Sequence, residues 1–173
     1  MSITEYHRKR DFASTPEPRG RRRAMRASRM FVVQHHRASH DHDDFRLEVG
    51  GVLKSWAIPK RVSRRTGVRR LAVQVEDHPL SYAAFEGTIP EGQYGAGHVS
   101  IFDHGTWESD EPPAAALKAG KLVFTLHGSK LTGRWALVRM EHPRSGETSK
   151  PQWLLMRTHA PSAIPRAGRV PPR

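Results

Sequence analysis

The 173-residue sequence contains no cysteine. That excludes disulfides, zinc ribbons, thiol nucleophiles and the cysteine-bearing zinc sites of nucleobase deaminases. It also lacks any apolar run near the roughly 20 residues needed to cross a bilayer, and its opening MSITEYHRKRDF has no apolar signal-peptide core. These absences predict a soluble, cytoplasmic protein without membrane association. Acidic residues are few, 17 Asp and Glu against 29 Lys and Arg, for a formal net charge of +12. Such a surplus attracts polyanions in a salt-dependent way. It is concentrated in RGRRRAMRASR (19–29) and RVSRRTGVRR (61–70). Without an amphipathic helix to favour an anionic membrane, the expected partner is nucleic acid.

The chain divides by composition. Residues 1–29 are polar, carry Pro16, Pro18 and Gly20, and are expected to form an extended basic arm that packs on the body. Residues 30–159 form the main domain. Residues 160–173 are a Pro-rich basic tail, expected to be disordered. Within the domain, 30–34 (MFVVQ) is a short apolar strand. In 45–49, Phe45, Leu47 and Val49 alternate with Arg46 and Glu48, the period-two pattern of a half-buried strand. Gly50-Gly51 supplies a hairpin turn that returns 52–58 antiparallel. Further strands are predicted at 71–76, 98–102, 121–127, 134–140 and 152–156, with short helical turns at 80–85 and at 113–119, the latter stopped by Gly120. The fold class is therefore mainly β, a closed or nearly closed antiparallel β-barrel of about eight strands with short flanking helices. Trp56, Trp107, Trp135 and Trp153 lie mostly in strand-like runs and are assigned to packing before base stacking.

The segment HHRASHDHDDFRLE (35–48) holds four His and three Asp in fourteen residues. If its strand begins slightly before Phe45, then His42, Asp44 and Arg46 share one face and Phe45, Leu47 and Val49 fill the other. Imidazole and carboxylate together suit Mn²⁺, Fe²⁺ or Zn²⁺, and the adjacent guanidinium offers a fork for a metal-bound phosphate. The third ligand is open at this point: His40 extends the same face, and His36 can reach in from the preceding strand. In RLAVQVEDHPLSY (70–82), Leu71, Val73 and Val75 alternate with Arg70, Ala72, Gln74 and Glu76. Arg70 and His78 could thus face one site, with Tyr82 close to His78 across a helical turn. The glycines of GTIPEGQYGAGHVSIF (87–102) match neither a dinucleotide fingerprint nor a P-loop and lead into a strand, which predicts a barrel corner.

Taken together, YHRKRDFASTPEP, HHRASHDHDDFRLEVGGVLKSWAIPK, RLAVQVEDHPLSYAAFEGTIPEGQYGAG, GSKLTGRWALVRM and QWLLMRTH resemble the 3′-phosphoesterase domain of bacterial ATP-dependent DNA ligase D, over residues 6–159. The resemblance implies a β-barrel with its active site in a surface groove and Mn²⁺ as cofactor, other divalent transition metals being alternatives. The implied activity is a 3′-ribonuclease and 3′-phosphatase on primer-template or duplex 3′ ends. A terminal ribonucleoside is removed, and then the remaining 3′-phosphate, to leave a 3′-hydroxyl for end joining. It implies His36, His42 and Asp44 as metal ligands, Arg46 and Arg70 on phosphate oxygens, His78 and Tyr82 as a phosphate-contacting and catalytic pair, and Arg10, Asp11 and Glu17 as a supporting N-terminal set. A separate DNA ligase, polymerase or Ku-type protein is the implied partner, and a nucleoid-associated location follows if the source is bacterial. Two departures stand out. Asp43 occupies a place where the family usually has an aromatic residue, which would add negative charge beside the metal, and Arg61-Val62 replaces an expected Gly-Pro. Two other readings compete: a non-haem iron oxygenase, which also uses two His and a carboxylate, and a catalytically weak nucleic-acid-binding accessory subunit of a ligase.

Overall fold

In a computed structural model the structure describes residues 2–20, 28–142 and 149–159. Most of the first basic run and the whole 160–173 tail lie outside the described residues. The elements are α1 (Ile3–Arg8), β1 (Arg29–Arg37), β2 (His42–Val49), β3 (Val52–Ile58), β4 (Arg70–His78), a 3₁₀ helix (Leu80–Ala84), β5 (Gly87–Ile89), β6 (Gly97–Glu108), α2 (Pro113–Ala119), β7 (Lys121–Gly128), β8 (Thr132–Arg139) and β9 (Gln152–Arg157). The strands follow the order β1-β2-β3-β4-β9-β8-β7-β6-β5, and β1 pairs back onto β6. That pairing closes an eight-stranded antiparallel barrel, as the sequence predicts, and leaves no free edge between β1 and β6. The 12-residue β6 lies along β1 on one edge, and its other edge is shared by β7 at Gly105–Glu108 and β5 at Gly97–Val99.

Alternation sorts the side chains. Phe31 and Val33 of β1, Phe45, Leu47 and Val49 of β2, and Trp56 and Ile58 of β3 point inward, where they meet Ala72, Trp107, Phe124, Trp135 and Trp153. All four tryptophans are buried there, as expected. Their intervening neighbours point outward, and on one side of the barrel these are covered by a second apolar cluster of Tyr6, Leu53, Leu80, Tyr82, Phe85, Ile89 and Val99. The outer layer comes from α1, the 3₁₀ helix and β5. Polar side chains between barrel wall and outer layer are thereby shielded from solvent while remaining outside the hydrophobic core.

Three local outcomes differ from the sequence expectation. The arm, read as extended, contains α1, because Tyr6 is wholly buried against the barrel and the helix turns it there. β1 runs on to Arg37, beyond the apolar MFVVQ, since its outward positions face the polar layer and need not be apolar. The short β5 was not anticipated. By contrast α2 ends as expected, at Gly120 with φ of 94°, in the left-handed region that glycine enters without strain. Among the described residues no helix is long and apolar enough to cross a membrane.

Phe45 is fully buried between Trp56 and Phe124, with ring centroids 6.3 and 6.0 Å away. Phe45→Ala is expected to destabilise the barrel by about 3–5 kcal/mol. Urea unfolding should show this as a lower midpoint with an unchanged slope.

Candidate metal centre and phosphate site

The centre is built on the β1–β2 hairpin. His36 stands directly opposite His42 in the pairing, and Gln34 stands opposite Asp44. His42, Asp44 and Arg46 alternate outward as the sequence predicts, and the hairpin register brings His36 to the same face. Among the described residues, His36, His42 and Asp44 form a possible metal-binding triad whose ligand atoms all lie within 4.8 Å of one another. Asp44 Oδ1 is 3.2 Å from His42 Nε2, and Asp44 Oδ2 is 3.4 Å from His36 Nδ1. The opposite nitrogens donate to backbone carbonyls: His36 Nε2 to Gly95 O at 2.6 Å and His42 Nδ1 to His40 O at 3.0 Å. A carbonyl can only accept, so each of these nitrogens carries a proton, and the nitrogen that faces Asp44 is the one that could ligate a cation once it carries none. His40 thus contributes its backbone, and its exposed ring belongs to the 38–41 turn.

Arg46 lies beside the triad and is 3% exposed. Its Nε donates to Gln34 Oε1 at 2.8 Å, its Nη2 is 3.5 Å from Asp44 Oδ2, and its guanidinium sits 4.7 Å from the Tyr82 ring centre. Gln34 is itself locked, donating to the carbonyls of Tyr82 and Phe85 at 2.9 and 3.1 Å. One donor remains. Arg46 Nη1 is buried without a hydrogen-bond partner, an arrangement that costs stability unless a ligand fills it. Arg46 lines a cleft of about 460 Å³ together with the triad, Arg10, Glu17, His78 and Tyr82.

The arm supplies the far side. Arg10 donates from Nε to Glu17 at 2.8 Å, from Nη1 to Glu76 at 3.0 Å and from Nη2 to His78 Nε2 at 3.3 Å. Tyr82 donates its hydroxyl to Glu17 at 2.8 Å, and Lys9 reaches Glu76 at 3.1 Å. His78 Nδ1 donates to the Glu76 carbonyl at 2.9 Å, leaving Nε2 as the acceptor for Arg10. Burial, then the charges of Arg46 and Arg10, push His78 well below the usual histidine range, so the ring is neutral. Burial also lifts Tyr82 well above the usual phenol range; Arg46 opposes this and Glu17 adds to it. For Asp44, burial is outweighed by the Arg46 charge and by hydrogen bonds from His36 and His42, which hold the carboxyl well below its ordinary value.

Three expectations are not met. Arg70 pairs with Leu155 and shares its side of β4 with Ala72, both inward positions, and Arg70 does not line the cleft. The residues of β4 that do line it include Leu71, Val73 and Val75, the set read as core. A bulge explains the reversal: Ser55 pairs with Val75 but Leu53 pairs with His78, so β4 gains a residue there and changes parity before His78. Asp11 also stays away from the centre, accepting from Ala13 N and Ser14 Oγ in an exposed turn. Asp43, 1% exposed, faces away from the metal triad; one oxygen takes His35 Nδ1 and the other accepts Val62 N at 2.8 Å. The two departures from the family pattern therefore touch each other.

Gln34, Glu76 and Gly95 were not read as site residues. Gln34 in an apolar strand was the available signal. The other two act through contacts distant in sequence and through a backbone carbonyl, neither of which composition reveals.

A closed barrel whose outer wall carries a His-His-carboxylate triad beside a partly satisfied buried arginine defines a class of β-barrel proteins equipped to hold a cation and an anion together. The model of the DNA Ligase D 3′-phosphoesterase domain matches residues 34–139, and the chain belongs to that family. It is 50% identical over 157 residues to the multifunctional non-homologous end joining protein LigD of Pseudomonas aeruginosa, covering 90% of this chain. It is 45% identical over 147 residues to the corresponding DNA repair protein of Mycobacterium tuberculosis, and 42% identical over 147 residues to that of Mycolicibacterium smegmatis, covering 82% and 79% of this chain. The chain spans only 18% to 19% of the length of these relatives.

Burial opposes protonation of His42, but the bond and charge of Asp44 and the His40 carbonyl raise its pKa to about 9. This contact stabilises the metal-free fold below the ordinary histidine range, and that gain is lost as pH rises through about 9. A cation must displace the proton. Titration calorimetry with Mn²⁺ should therefore show affinity rising by about tenfold per pH unit between about pH 6 and 8, with one proton released. A pH-independent affinity would contradict the proton-bearing His42.

Proposed function

We propose that the protein is a Mn²⁺-dependent phosphoesterase of nucleic-acid 3′ ends. It removes a 3′-terminal ribonucleoside and then the remaining 3′-phosphate, leaving a 3′-hydroxyl for repair by end joining. The observation that carries this reading is the buried, unpartnered Nη1 of Arg46 beside the His36, His42 and Asp44 triad. A phosphoryl oxygen would satisfy that donor; the carboxylate of an oxygenase's anionic cosubstrate would too, and membership of a phosphoesterase family favours phosphate. Family membership and the +12 charge support the same substrate class.

The donor set fits a divalent transition metal: two imidazole nitrogens and a carboxylate converge, and the opposite nitrogens are tied to carbonyls. Held there, the cation supplies charge stabilisation at a phosphoryl oxygen. The chain's own residues do the rest. Arg46 Nη1 donates to a non-bridging oxygen and balances the charge that grows in the transition state. Gln34 and the Tyr82 ring keep its guanidinium from swivelling. Neutral His78 can accept a proton at Nε2 once Arg10 yields that position, and it is poorly suited to hold one beforehand. Arg10 and Glu17 act as positioning residues, and Tyr82, whose hydroxyl is committed to Glu17, supports Arg46 with its ring. Hydrolysis of the 3′-phosphate adds water across the ester P–O bond and yields the 3′-hydroxyl and inorganic phosphate. We infer a cytoplasmic, nucleoid-associated protein that works with a separate ligase, polymerase or Ku-type end-binding protein.

A labelled primer-template ending in one ribonucleotide, incubated with the protein and Mn²⁺, is expected to give first the 3′-phosphate and then the 3′-hydroxyl product. Asp44→Ala should abolish both steps with the barrel intact by circular dichroism. Arg46→Lys should lower kcat by about a hundredfold or more. Undiminished cleavage by the Asp44 variant would sink the assignment.

A further inference from the structure

We propose that Tyr94 is a stacking platform for the base of the nucleoside that carries the 3′-phosphate. The proposal rests on the phosphoesterase reading and adds to it a base-recognition subsite. Tyr94 is 44% exposed, the only exposed large hydrophobic side chain among the described residues, yet it lines the same cleft as the triad and Arg46. This partly exposed ring belongs to neither apolar cluster. Nucleobases are the ligands that such rings bind next to phosphate-binding groups.

The ring is also held in place. Its neighbour Gly95 accepts from His36 Nε2 at 2.6 Å, so the backbone beneath Tyr94 is tied to one of the triad residues. Turn hydrogen bonds from Gln93 N to Pro90 O at 3.2 Å and from Ala96 N to Gln93 O at 3.1 Å set the loop on either side. Gly95 has φ of 76°, in the left-handed region that glycine enters without strain, and this lets the loop turn beside the histidine. The glycine-rich segment thus serves neither as a nucleotide loop nor as a plain corner, but as a mount for an aromatic side chain.

Cations flank the ring. Lys9 Nζ lies 4.7 Å from its centre and donates to the hydroxyl at 3.4 Å, while the Arg10 guanidinium lies 5.4 Å from the centre. They restrain the side chain and add positive charge where a polyanion enters. Leu71, Val73 and Val75 add apolar surface to the same cleft, whose lining also includes Lys150 and Gln152. Every base offers a π-face, so stacking on Tyr94 does not depend on which base is present.

The test measures binding, with EDTA present to prevent turnover. Fluorescence anisotropy compares duplexes whose 3′-phosphorylated terminal nucleoside is base-bearing or abasic, against the wild type, Tyr94→Ala, Tyr94→Phe and Tyr94→Trp. The wild type should prefer the base-bearing end by about tenfold or more. Tyr94→Ala should lose that preference, and the Phe and Trp variants, which keep an aromatic face, should retain it. A preference that survives in Tyr94→Ala, or one that is absent in the wild type, overturns the stacking site, whatever the turnover assay shows. Conversely, an intact Tyr94-dependent preference with no Mn²⁺-dependent cleavage by the wild type overturns the phosphoesterase reading and leaves the stacking site standing.

Discussion

Asp44 is a carboxylate held 7% exposed on the outer wall of a barrel, and most of the polar architecture answers to its charge. Burying an ion costs several kcal/mol unless partners surround it. Here His36, His42 and Arg46 all do so. Arg46 in turn needs Gln34 and the Tyr82 ring. Tyr82 needs Glu17, which holds Arg10, and Arg10 shares Glu76 with Lys9. The result is a series of alternating charges and dipoles running from barrel wall to arm. The first twenty residues are thereby part of the electrostatics of the centre, and α1 with the segment that follows it closes the charge series.

That dependence explains how much of the site could be read from the sequence. His42, Asp44 and Arg46 were legible because a strand's period of two is local and robust, and the apolar partners Phe45, Leu47 and Val49 confirm the phase. His36 and His40 could not be separated on pattern. The choice depends on how many residues the β1–β2 turn consumes, which sets the register opposite His42. β4 was misread for a related reason: one extra residue near Glu76 and Asp77 inverts the faces on either side of it, and no residue in RLAVQVEDH announces a bulge. Arg70, before the bulge, shares the inward side of Ala72, while His78, beyond it, lines the cleft. The barrel itself was legible from strand spacing and turn punctuation, although its closure by β1 against β6 is a long-range fact that spacing only implies.

The electrostatic consequences were less accessible still. His78 and His42 are both histidines close to arginine, yet one is driven neutral and the other holds a proton to about pH 9. The difference lies in the nearest partner. His42 faces a carboxylate, whereas His78 accepts from a guanidinium and has the Glu76 carbonyl and the Ser55 hydroxyl on its other nitrogen. One residue type thus occurs in two protonation states across a single cleft.

The contact between Asp43 and Val62 bears on how such sequences can change over generations. A proline at 62 has no N–H to give, so it would leave one oxygen of a buried Asp43 unanswered. An aromatic residue at 43 would leave the Val62 N–H without its acceptor. Arg61, at φ of 67°, meanwhile occupies a conformation that glycine adopts more cheaply. Positions 43 and 62 are accordingly coupled: changing either one alone leaves a polar group of the other without its partner.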